Sequence, residues 1–504
     1  MFIKVSLFNI IFFNKALLIF ILCFLYIGHF KKGVSIKINI QKDRVNNKSI
    51  IANEIKDVLF INGCNPEKLP HPYRYRVLHQ MEQLKAGSLE SDEFFFLDFN
   101  PKIVLNYRVI IFFRCQWTKK VEEAINLAKS LNKKVLFDID DLVFDTNYTD
   151  MHPYIKTLSQ KEKKLYDKGV ELIAKTLKLC EGAITTNEVL AKELNKYVKN
   201  VFVNRNVPSE EMWRLSQNAL LMKINKTKSN DIIIGYFSGS ISHNPDIEML
   251  RNVLVKILRE FKNVKLLLYG FLKVPNFLNE FSTQIIKRRF IDWKLLPRII
   301  SNIDINIAPI ENIFFNEAKS ENKWVEASLV KIPTVSSNYG AFKQVIHHNE
   351  TGILCSNLND WYISLKSLIN DKLLRKTIGE NAYNFCKKKY NTIYTGINLS
   401  NYINSIANKH IGFFLPSLGI SGGIYVILKH ASFLQDKKWD VDLIVPFSDL
   451  NTFEFQGHIF NIINLKNMTL NSQYDILVIL ELKDIYILFK DMKQIFLLMA
   501  IIQE

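Results

Sequence analysis

The chain has 504 residues, of which 48% are hydrophobic and 23% are charged. This length is sufficient for two or three domains with cores of their own, and the composition argues against intrinsic disorder. The formal net charge of +17 favours anionic partners such as phosphates or anionic lipid head groups, although a general richness in Lys, Asn, Ile and Phe accounts for part of it. The sequence has no dense Arg and Lys tract interleaved with aromatic residues, so nucleic acid is not an expected partner.

The cysteines are scattered through the sequence. Neither a Cys-x-x-Cys motif nor a ligand spacing that includes His is present, so the sequence predicts neither a zinc site nor a disulfide framework. Most of them lie in apolar runs, and we expect buried thiols in a reducing compartment. They are Cys23, Cys64, Cys115, Cys180, Cys355 and Cys386.

Residues 1–54 form an apolar segment and a polar linker. The run from Ala16 to Phe30 is nearly continuous in apolar residues but is short for a membrane span, which needs about 20 residues. More lysines follow it than precede it, so a spanning segment would leave the rest of the chain in the cytoplasm. We predict a cytoplasmic protein and keep open an attachment to the inner face of the cytoplasmic membrane through residues 5–30. The alternatives are a surface helix and an upstream extension of the true start.

A first α/β domain is predicted over residues 55–208, because strand-like runs alternate with amphipathic helices as in a parallel sheet. The first strand ends at Gly63, and the next helix covers Arg74 to Leu84. His71, Arg74 and Arg76 lie between that strand end and the first helical turn, where they can receive an anionic or hydroxyl-rich ligand. The alternative is a solvated basic helix start.

Three carboxylates follow a later strand of this domain, at the edge where a site would form. They are Asp138, Asp140 and Asp141. A metal site is conceivable there, but no His or further Glu accompanies them. Hydrogen bonds to sugar hydroxyls or capping of the loop are therefore the favoured interpretations. Asn206-Val207-Pro208 is a predicted hinge at the end of the domain.

A second α/β domain is predicted over residues 209–408. Its first strand, Ile232 to Phe237, leads into Ser238 to Asn244, where small residues including Gly239 and Ser240 allow backbone amides to approach a phosphate. This loop is neither a GxGxxG motif nor a P-loop. A helix with Ser320 as its predicted N-cap then precedes two strands, at residues 334–337 and 353–355.

Several motifs of this second domain resemble nucleotide-sugar glycosyltransferases of the GT-B type, in particular the retaining bacterial glycosyltransferase group 1. They are Ile234 to Gly239, Asp304 to Pro309, Lys319-Ser320, Lys323-Trp324, Glu326-Ala327, Pro333 to Val335, and Gly340. The resemblance implies two Rossmann-like domains with a cleft between them. It further implies that Glu326 holds the ribose of the donor nucleotide and that Lys319, Ser320 and Lys323 face the donor sugar and diphosphate.

The sequence departs from that family in three places. Ala318 stands where many members have a first glutamate, the loop from Ser238 to Asn244 lacks the usual Arg and Lys, and Gln344 replaces a common glutamate. Negative charge develops on the leaving phosphate while the anomeric carbon becomes cationic, and this charge must be stabilised. We therefore expect Lys319 and Lys323 to neutralise it without a metal. The alternative is that both are solvated residues on one helical face.

Residues 409–504 begin another α/β unit. A strand ending at Pro416, a Gly-rich turn at residues 417–423 and a helix from Ile424 resemble the start of a second GT-B N-terminal domain. Fewer than about 100 residues cannot supply both halves of such an enzyme. We predict a partial third α/β domain, and the alternative is a compact non-catalytic appendage.

The predicted function is transfer of a sugar from a nucleotide sugar to a cell-surface glycan or a lipid-linked precursor. No cofactor and no metal is expected beyond the nucleotide-sugar co-substrate. The donor would bind at Gly239, Ser240, Ser320, Glu326 and Gly340, with Lys319, Lys323 and Glu326 as the catalytic set. The acceptor side would be His71, Arg74, Arg76, Asp138, Asp140 and Asp141. The alternatives are a nucleotide-sugar epimerase and a non-catalytic GT-B-like subunit that binds glycan or scaffolds partners.

Overall fold

The computed structural model describes residues 55–67, 69–152, 154–223, 230–239, 244–272, 274–446, 448–464, 476–479 and 496–499. The apolar segment at residues 5–30 lies outside these ranges, so membrane attachment stays a prediction. Within the described ranges, no helix combines the length and apolarity that crossing a membrane requires. The cysteines in these ranges are free and buried, and they are Cys64, Cys115, Cys180, Cys355 and Cys386.

The first sheet has six strands in the order β2-β1-β3-β4-β5-β6, and every neighbouring pair is parallel. Successive strand residues pack on opposite faces, so that Leu59 and Ile61 join one apolar cluster while Val58 and Phe60 join another. The strands are β1 (Lys56–Asn62), β2 (Ser91–Phe95), β3 (Tyr107–Phe113), β4 (Lys134–Ile139), β5 (Gly182–Thr185) and β6 (Asn200–Val203).

Helices cover both faces of this sheet. The predicted helix at residues 74–84 begins with a π-helical turn, Arg74–Leu78, and continues as an α-helix. A short α-helix precedes the π-helical turn. The 20-residue α5 begins with a capping box, in which Ser159 and Glu162 satisfy each other's backbone N–H groups. The α-helices are α1 (Pro70–Tyr73), α2 (His79–Ala86), α3 (Lys119–Ser130), α4 (Thr146–Thr149), α5 (Gln160–Leu179) and α6 (Glu188–Leu194).

The second sheet is also six-stranded and parallel, in the order β12-β11-β10-β7-β8-β9. β11 and β12 have the predicted bounds. The strands are β7 (Ile232–Ser238), β8 (Val264–Gly270), β9 (Ile285–Arg288), β10 (Ile305–Ala308), β11 (Thr334–Ser337) and β12 (Ile353–Cys355). The helices are α7 (Glu210–Lys223), α8 (Asn244–Glu248), α9 (Arg251–Glu260), α10 (Leu296–Ile300), α11 (Phe314–Glu317), α12 (Asn322–Ser328), α13 (Gly340–Val345), α14 (Leu358–Asn370) and α15 (Lys372–Lys389).

Helix α16 (Thr392–Ile406) follows the second sheet in sequence but packs against the first. Leu399 and Ile403 join the apolar cluster formed by β1 residues. Gln83 donates a 2.6 Å hydrogen bond to Thr395, and a Cβ at Gly396 would lie 2.3 Å from the Gln83 carbonyl oxygen. The helix therefore connects the two sheets, although residues 392–406 were assigned to the second domain from the sequence.

The third sheet confirms that a third α/β unit is present. Its order is β15-β16-β14-β13-β17-β18, and the antiparallel β15–β16 hairpin is the exception among parallel pairs. α17 (Gly422–Asp436) packs on it. The strands are β13 (His410–Phe414), β14 (Asp440–Val445), β15 (Thr452–Phe455), β16 (His458–Asn464), β17 (Ile476–Ile479) and β18 (Phe496–Met499).

A buried polar network attaches this third sheet to the first. His410 Nε2 lies 2.8 Å from Asp442, and Lys133, the residue before β4, lies 3.3 Å from Asp440. Asn461 donates to Asp442 at 2.9 Å and to the Leu105 carbonyl at 3.2 Å. The three ligand-type groups, His410, Asp440 and Asp442, lie within 4.8 Å of one another. Because Lys133 already pairs with one carboxylate, we interpret the cluster as an interdomain connection.

Candidate active site

The candidate site lies where the helical turns after β1 approach Gly239, the residue that follows β7. His71 Cδ2 lies 3.9 Å from the position that a Cβ on Gly239 would occupy. Tyr75 donates a 2.9 Å hydrogen bond to Glu326 Oε1, and Arg74 Nη2 lies 3.7 Å from the same oxygen. The carboxyl ends of strands from both sheets therefore face one cleft, which is where open α/β sheets bind ligands.

Glu326 lies on α12 with 13% of its side chain exposed. Burial raises the pKa of its carboxyl group, while Arg74, Tyr75 and Lys323 act in the opposite direction. Both first-domain contacts of this carboxylate come from the π-helical turn. The residue that the resemblance assigns to the donor ribose is thus held by the opposite side of the cleft.

The prediction that Ser320 caps α12 is wrong. The helix begins at Asn322, its N-cap residue is Glu321, and no side chain caps it. Glu321 is 1% exposed and accepts a 2.6 Å hydrogen bond from the Tyr390 hydroxyl, and it pairs with Arg205 at 3.3 Å. These tertiary contacts fix the N-cap one residue beyond Ser320, which is itself half-buried.

Lys323 points from α12 toward the end of β7. Its Nζ is buried and has no hydrogen-bond partner among the residues that the structure describes. It lies 4.8 Å from the centre of the Tyr236 ring. Burial lowers its pKa to about 8, assisted by Lys319 and opposed by Asp246 and Glu326. The geometry contradicts the alternative of a solvated lysine at this position.

Lys319 lies three residues before α12 begins, so the two lysines do not share one face of that helix. It is half-buried, with Nζ 5.8 Å from the Phe315 ring. Burial raises the pKa of Asp141 and lowers the pKa of His152, both of the first domain, and the charge of Lys319 acts to lower each of them. Lys319 is therefore close to the opposite wall of the cleft.

Arg74 is 4% exposed in its side chain and has unused hydrogen-bond donors. Its guanidinium lies 4.3 Å from the centre of the Trp293 ring of the second domain. Nε and Nη1 have no partner among the described residues, and the same is true of His71 Nε2. Burial, together with the Arg74 charge, lowers the pKa of His71 to about 4, so this imidazole is neutral near pH 7.

Arg76 and Asp138 form a buried ion pair with no exposure of either side chain. The guanidinium donates two 2.9 Å hydrogen bonds to the carboxylate and further bonds to the Asn204 carbonyl and the Asn206 side chain. Gln80 donates to the same carboxylate at 2.5 Å. The pair joins β4 to the predicted hinge, and its burial argues against direct contact with an acceptor.

Asp140 and Asp141 remain partly exposed at the edge of the first sheet, with 12% and 27% of their side chains accessible. Arg114, in a left-handed conformation just after β3, pairs with Asp140 at 2.5 Å and approaches Asp141 at 3.9 Å. Arg114 was not among the residues predicted for the site. Its position directly after a strand at the same edge was the signal that could have found it.

The remaining residues predicted to bind the donor are Gly239, Ser240 and Gly340. Gly239 is exposed at the end of β7, and Ser240 lies outside the described residues. Gly340 has φ +55° at the start of α13, and a Cβ there would lie 3.0 Å from the Asn316 carbonyl oxygen. A side chain at Gly340 would therefore be strained and crowded.

Aromatic residues of the site were missed by the sequence analysis. Tyr75 and Trp293 hold Glu326 and Arg74, as described above. Phe271 follows β8 directly, is 52% exposed, and stacks on Phe290 with ring centres 4.6 Å apart. Phe290 in turn contacts His71 edge to face at 5.4 Å. An aromatic residue immediately after a strand-ending glycine was the available signal for Phe271.

Residues 233–371 match the family described as Glycosyl transferases group 1. A capsular polysaccharide biosynthesis glycosyltransferase of Staphylococcus aureus, CapM, is 26% identical over 251 residues, which cover 48% of this chain. The aligned region spans 64% of the length of that relative. The matched family segment contains Glu326, Lys319, Lys323 and the loop after β7.

Solved structures resemble this chain at low sequence identity. The crystal structure of Anabaena Alr3699/HepE in complex with UDP matches with a TM-score of 0.46 and 12% identity, covering 69% of this chain and all of that one. Sucrose-phosphate synthase from Thermosynechococcus elongatus matches with a TM-score of 0.48 and 14% identity, covering 70% of this chain and 99% of that one.

Proposed function

We propose that this chain, a member of the group 1 glycosyl transferases over residues 233–371, transfers a sugar from a nucleotide-sugar donor to a glycan or lipid-linked acceptor. The observation that carries the proposal is Lys323, a buried amine without a hydrogen-bond partner among the described residues, next to the carboxylate of Glu326. A buried cation of this kind is costly unless an anion pairs with it. The diphosphate of a donor supplies that anion.

The reaction breaks the bond between the anomeric carbon and a diphosphate oxygen, and its electron pair leaves with the phosphate. The acceptor hydroxyl oxygen forms the new bond to the anomeric carbon, and its proton passes to the departing phosphate. Lys323 and Lys319 would stabilise the negative charge that grows on the leaving group. Glu326 would hold the ribose hydroxyls of the donor, as the family resemblance implies.

We further propose that the transfer retains the anomeric configuration of the sugar and needs no metal. Support for metal independence comes from the two lysines, which bring positive charge to the place where the leaving group would lie. Retention rests on the family resemblance. The name of the S. aureus relative supports a cell-surface polysaccharide or its precursor as the acceptor class. Asp140 and Asp141, which are partly exposed across the cleft, are the residues we propose for the acceptor hydroxyls.

The test is incubation of the full chain with UDP-, GDP- and TDP-sugars, with and without lipid-linked glycan acceptors. Released nucleoside diphosphate and the sugar product are measured. Transfer or donor hydrolysis supports the proposal, and Glu326→Gln should abolish most of it while the exposed Glu350→Gln control should not. An epimerised donor would instead identify an epimerase. Glycan binding without turnover of any donor would identify a non-catalytic subunit.

A further inference from the structure

The loop after β7 lacks a cation that a diphosphate at this position would require. Residues 238–244 contain neither Arg nor Lys. Lys323 of α12 supplies one positive charge near β7, with Nζ 4.8 Å from the centre of the Tyr236 ring. A nucleoside diphosphate carries more than one negative charge, and its desolvation in a cleft calls for further charged hydrogen-bond donors. Buried donors without a partner among the described residues are present on the opposite domain, on Arg74 and His71.

Arg74 has the properties of such a donor. Its guanidinium is almost fully buried, yet Nε and Nη1 make no hydrogen bond within the described part of the chain. Leaving two guanidinium donors unsatisfied is unfavourable, and native proteins rarely do so without a functional reason. The Trp293 ring at 4.3 Å and Glu326 at 3.7 Å, both of the second domain, hold the guanidinium in the cleft.

His71 adds a neutral donor beside Arg74. Arg74 Nη2 lies 3.5 Å from His71 Nδ1, and a guanidinium can only donate, so Nδ1 accepts and the proton resides on Nε2. Nε2 is buried and has no partner among the described residues. Because Cδ2 of the ring, the atom bonded to Nε2, lies 3.9 Å from the Cβ position of Gly239, this N–H is on the side of the ring near the end of β7.

We infer that Arg74, with His71 beside it, binds the donor diphosphate from the first domain and replaces the cation that the loop after β7 lacks. The inference rests on the proposed function for the identity of the ligand, and it moves both residues from the acceptor side to the donor side. In the transfer step, the electron pair of the broken bond between the anomeric carbon and oxygen goes to the phosphate that Arg74 contacts. Arg74 is thus a catalytic residue, and donor binding joins the two domains across the cleft.

The test measures nucleoside diphosphate binding to the full chain by calorimetry, with UDP and GDP as probes and inorganic pyrophosphate as a competitor. Arg74→Met should weaken binding of the diphosphate probe about 10- to 100-fold, the range for loss of charge-assisted hydrogen bonds. Arg74→Lys should recover part of it, because the charge stays while the planar fork is lost. Arg251→Met, on the exposed Arg251–Glu248 pair, is the matched control and should change nothing.

Kinetics separate the donor role from an acceptor role. Arg74→Met should raise KM for the donor and lower kcat, and leave KM for the acceptor near the wild-type value. Unchanged diphosphate affinity, or a rise confined to the acceptor KM, would overturn the inference while the proposed function stands. A wild-type chain that binds nucleoside diphosphate through Arg74 but transfers no sugar would overturn the proposed function and keep the inference. Arg74→Lys serves as the readout should Arg74→Met not fold.

Discussion

Arg74 and Arg76 lie two residues apart on one π-helical turn, and their surroundings are opposite. Arg76 is fully buried, and its guanidinium bonds with Asp138, Asn204 and Asn206. Arg74 is nearly as buried, but two of its nitrogens have no partner among the described residues. Arginine therefore stabilises the fold at position 76, whereas Arg74 keeps two hydrogen-bond donors available for a ligand. Satisfied hydrogen bonds distinguish the two, and burial does not.

The π-helical turn explains how neighbouring arginines reach such different places. An extra residue in the turn rotates the side chains relative to a regular α-helix, and such turns are frequent at functional sites. Arg76 faces the sheet and the predicted hinge, while Arg74 faces the second domain. The comparison predicts that substitution of Arg76 changes stability and that substitution of Arg74 changes ligand binding.

The largest expected effect is on stability. Arg76→Met should destabilise the chain by about 3–5 kcal/mol, because it leaves the Asp138 carboxylate buried without its partner. Arg74→Met should have a small effect on unfolding by comparison. Urea unfolding followed by circular dichroism measures both. Equal losses for the two variants would contradict the distinction, and Arg76→Met combined with Asp138→Leu should recover much of the stability.

Lys323 of the second domain is, like Arg74, a buried cation with a nitrogen that lacks a hydrogen-bond partner among the described residues. Lys323→Met should lower kcat for sugar transfer about 100- to 1,000-fold, the range for loss of one preorganised donor to developing negative charge. The same change should raise the midpoint of thermal unfolding, since an unpaired buried ammonium disfavours the fold. Steady-state kinetics and differential scanning calorimetry provide the two readouts. A variant that is both active and less stable would show that Lys323 has a structural role.

The pH dependence is the smallest of these effects. Lys323 has a lowered pKa of about 8 in the free chain, so its cationic form is present below that pH and is lost above it. Donor kcat/KM, which reports the free enzyme, should fall about tenfold per pH unit above pH 8. Lys323→Arg should remove this alkaline limb, because guanidinium stays charged. If the alkaline decline of kcat/KM persisted unchanged in Lys323→Arg, another titrating group would be its cause.

The fold was largely predictable from local sequence. Apolar strand runs alternating with helices gave the parallel sheets, and β11 and β12 were located at their observed bounds because Pro333 and the turn at residues 349–352 delimit them. Residues 233–371, which carry the motifs of the predicted resemblance, match the family described as Glycosyl transferases group 1. Helix α16 was assigned to the wrong neighbour, since its amphipathic pattern does not say which sheet covers its apolar face.

The site was predictable only in part. Glu326 and Lys323 follow from motif position, and the structure places them together. Arg74, Arg76 and Asp138 were predicted as one group, because all three lie at one predicted sheet edge. The accessibility of the two arginines depends on polar partners more than 60 residues away, such as the Asn204 carbonyl for Arg76 and the Glu326 carboxylate for Arg74. Tyr75 and Trp293 carry no local signal, since each acquires its role by contact across the cleft.

The sequence by itself determined the α/β class and the strand positions, and its motif spacing indicated a family resemblance, because periodicity, turn residues and motif spacing are local properties. Only the tertiary structure decided which cations are paired and which face the cleft. Pairing depends on carboxylates and carbonyls that distant segments bring within hydrogen-bond distance, and desolvation then determines which unpaired donors require a ligand. Arg74 and Arg76, equivalent in the sequence, differ for this reason.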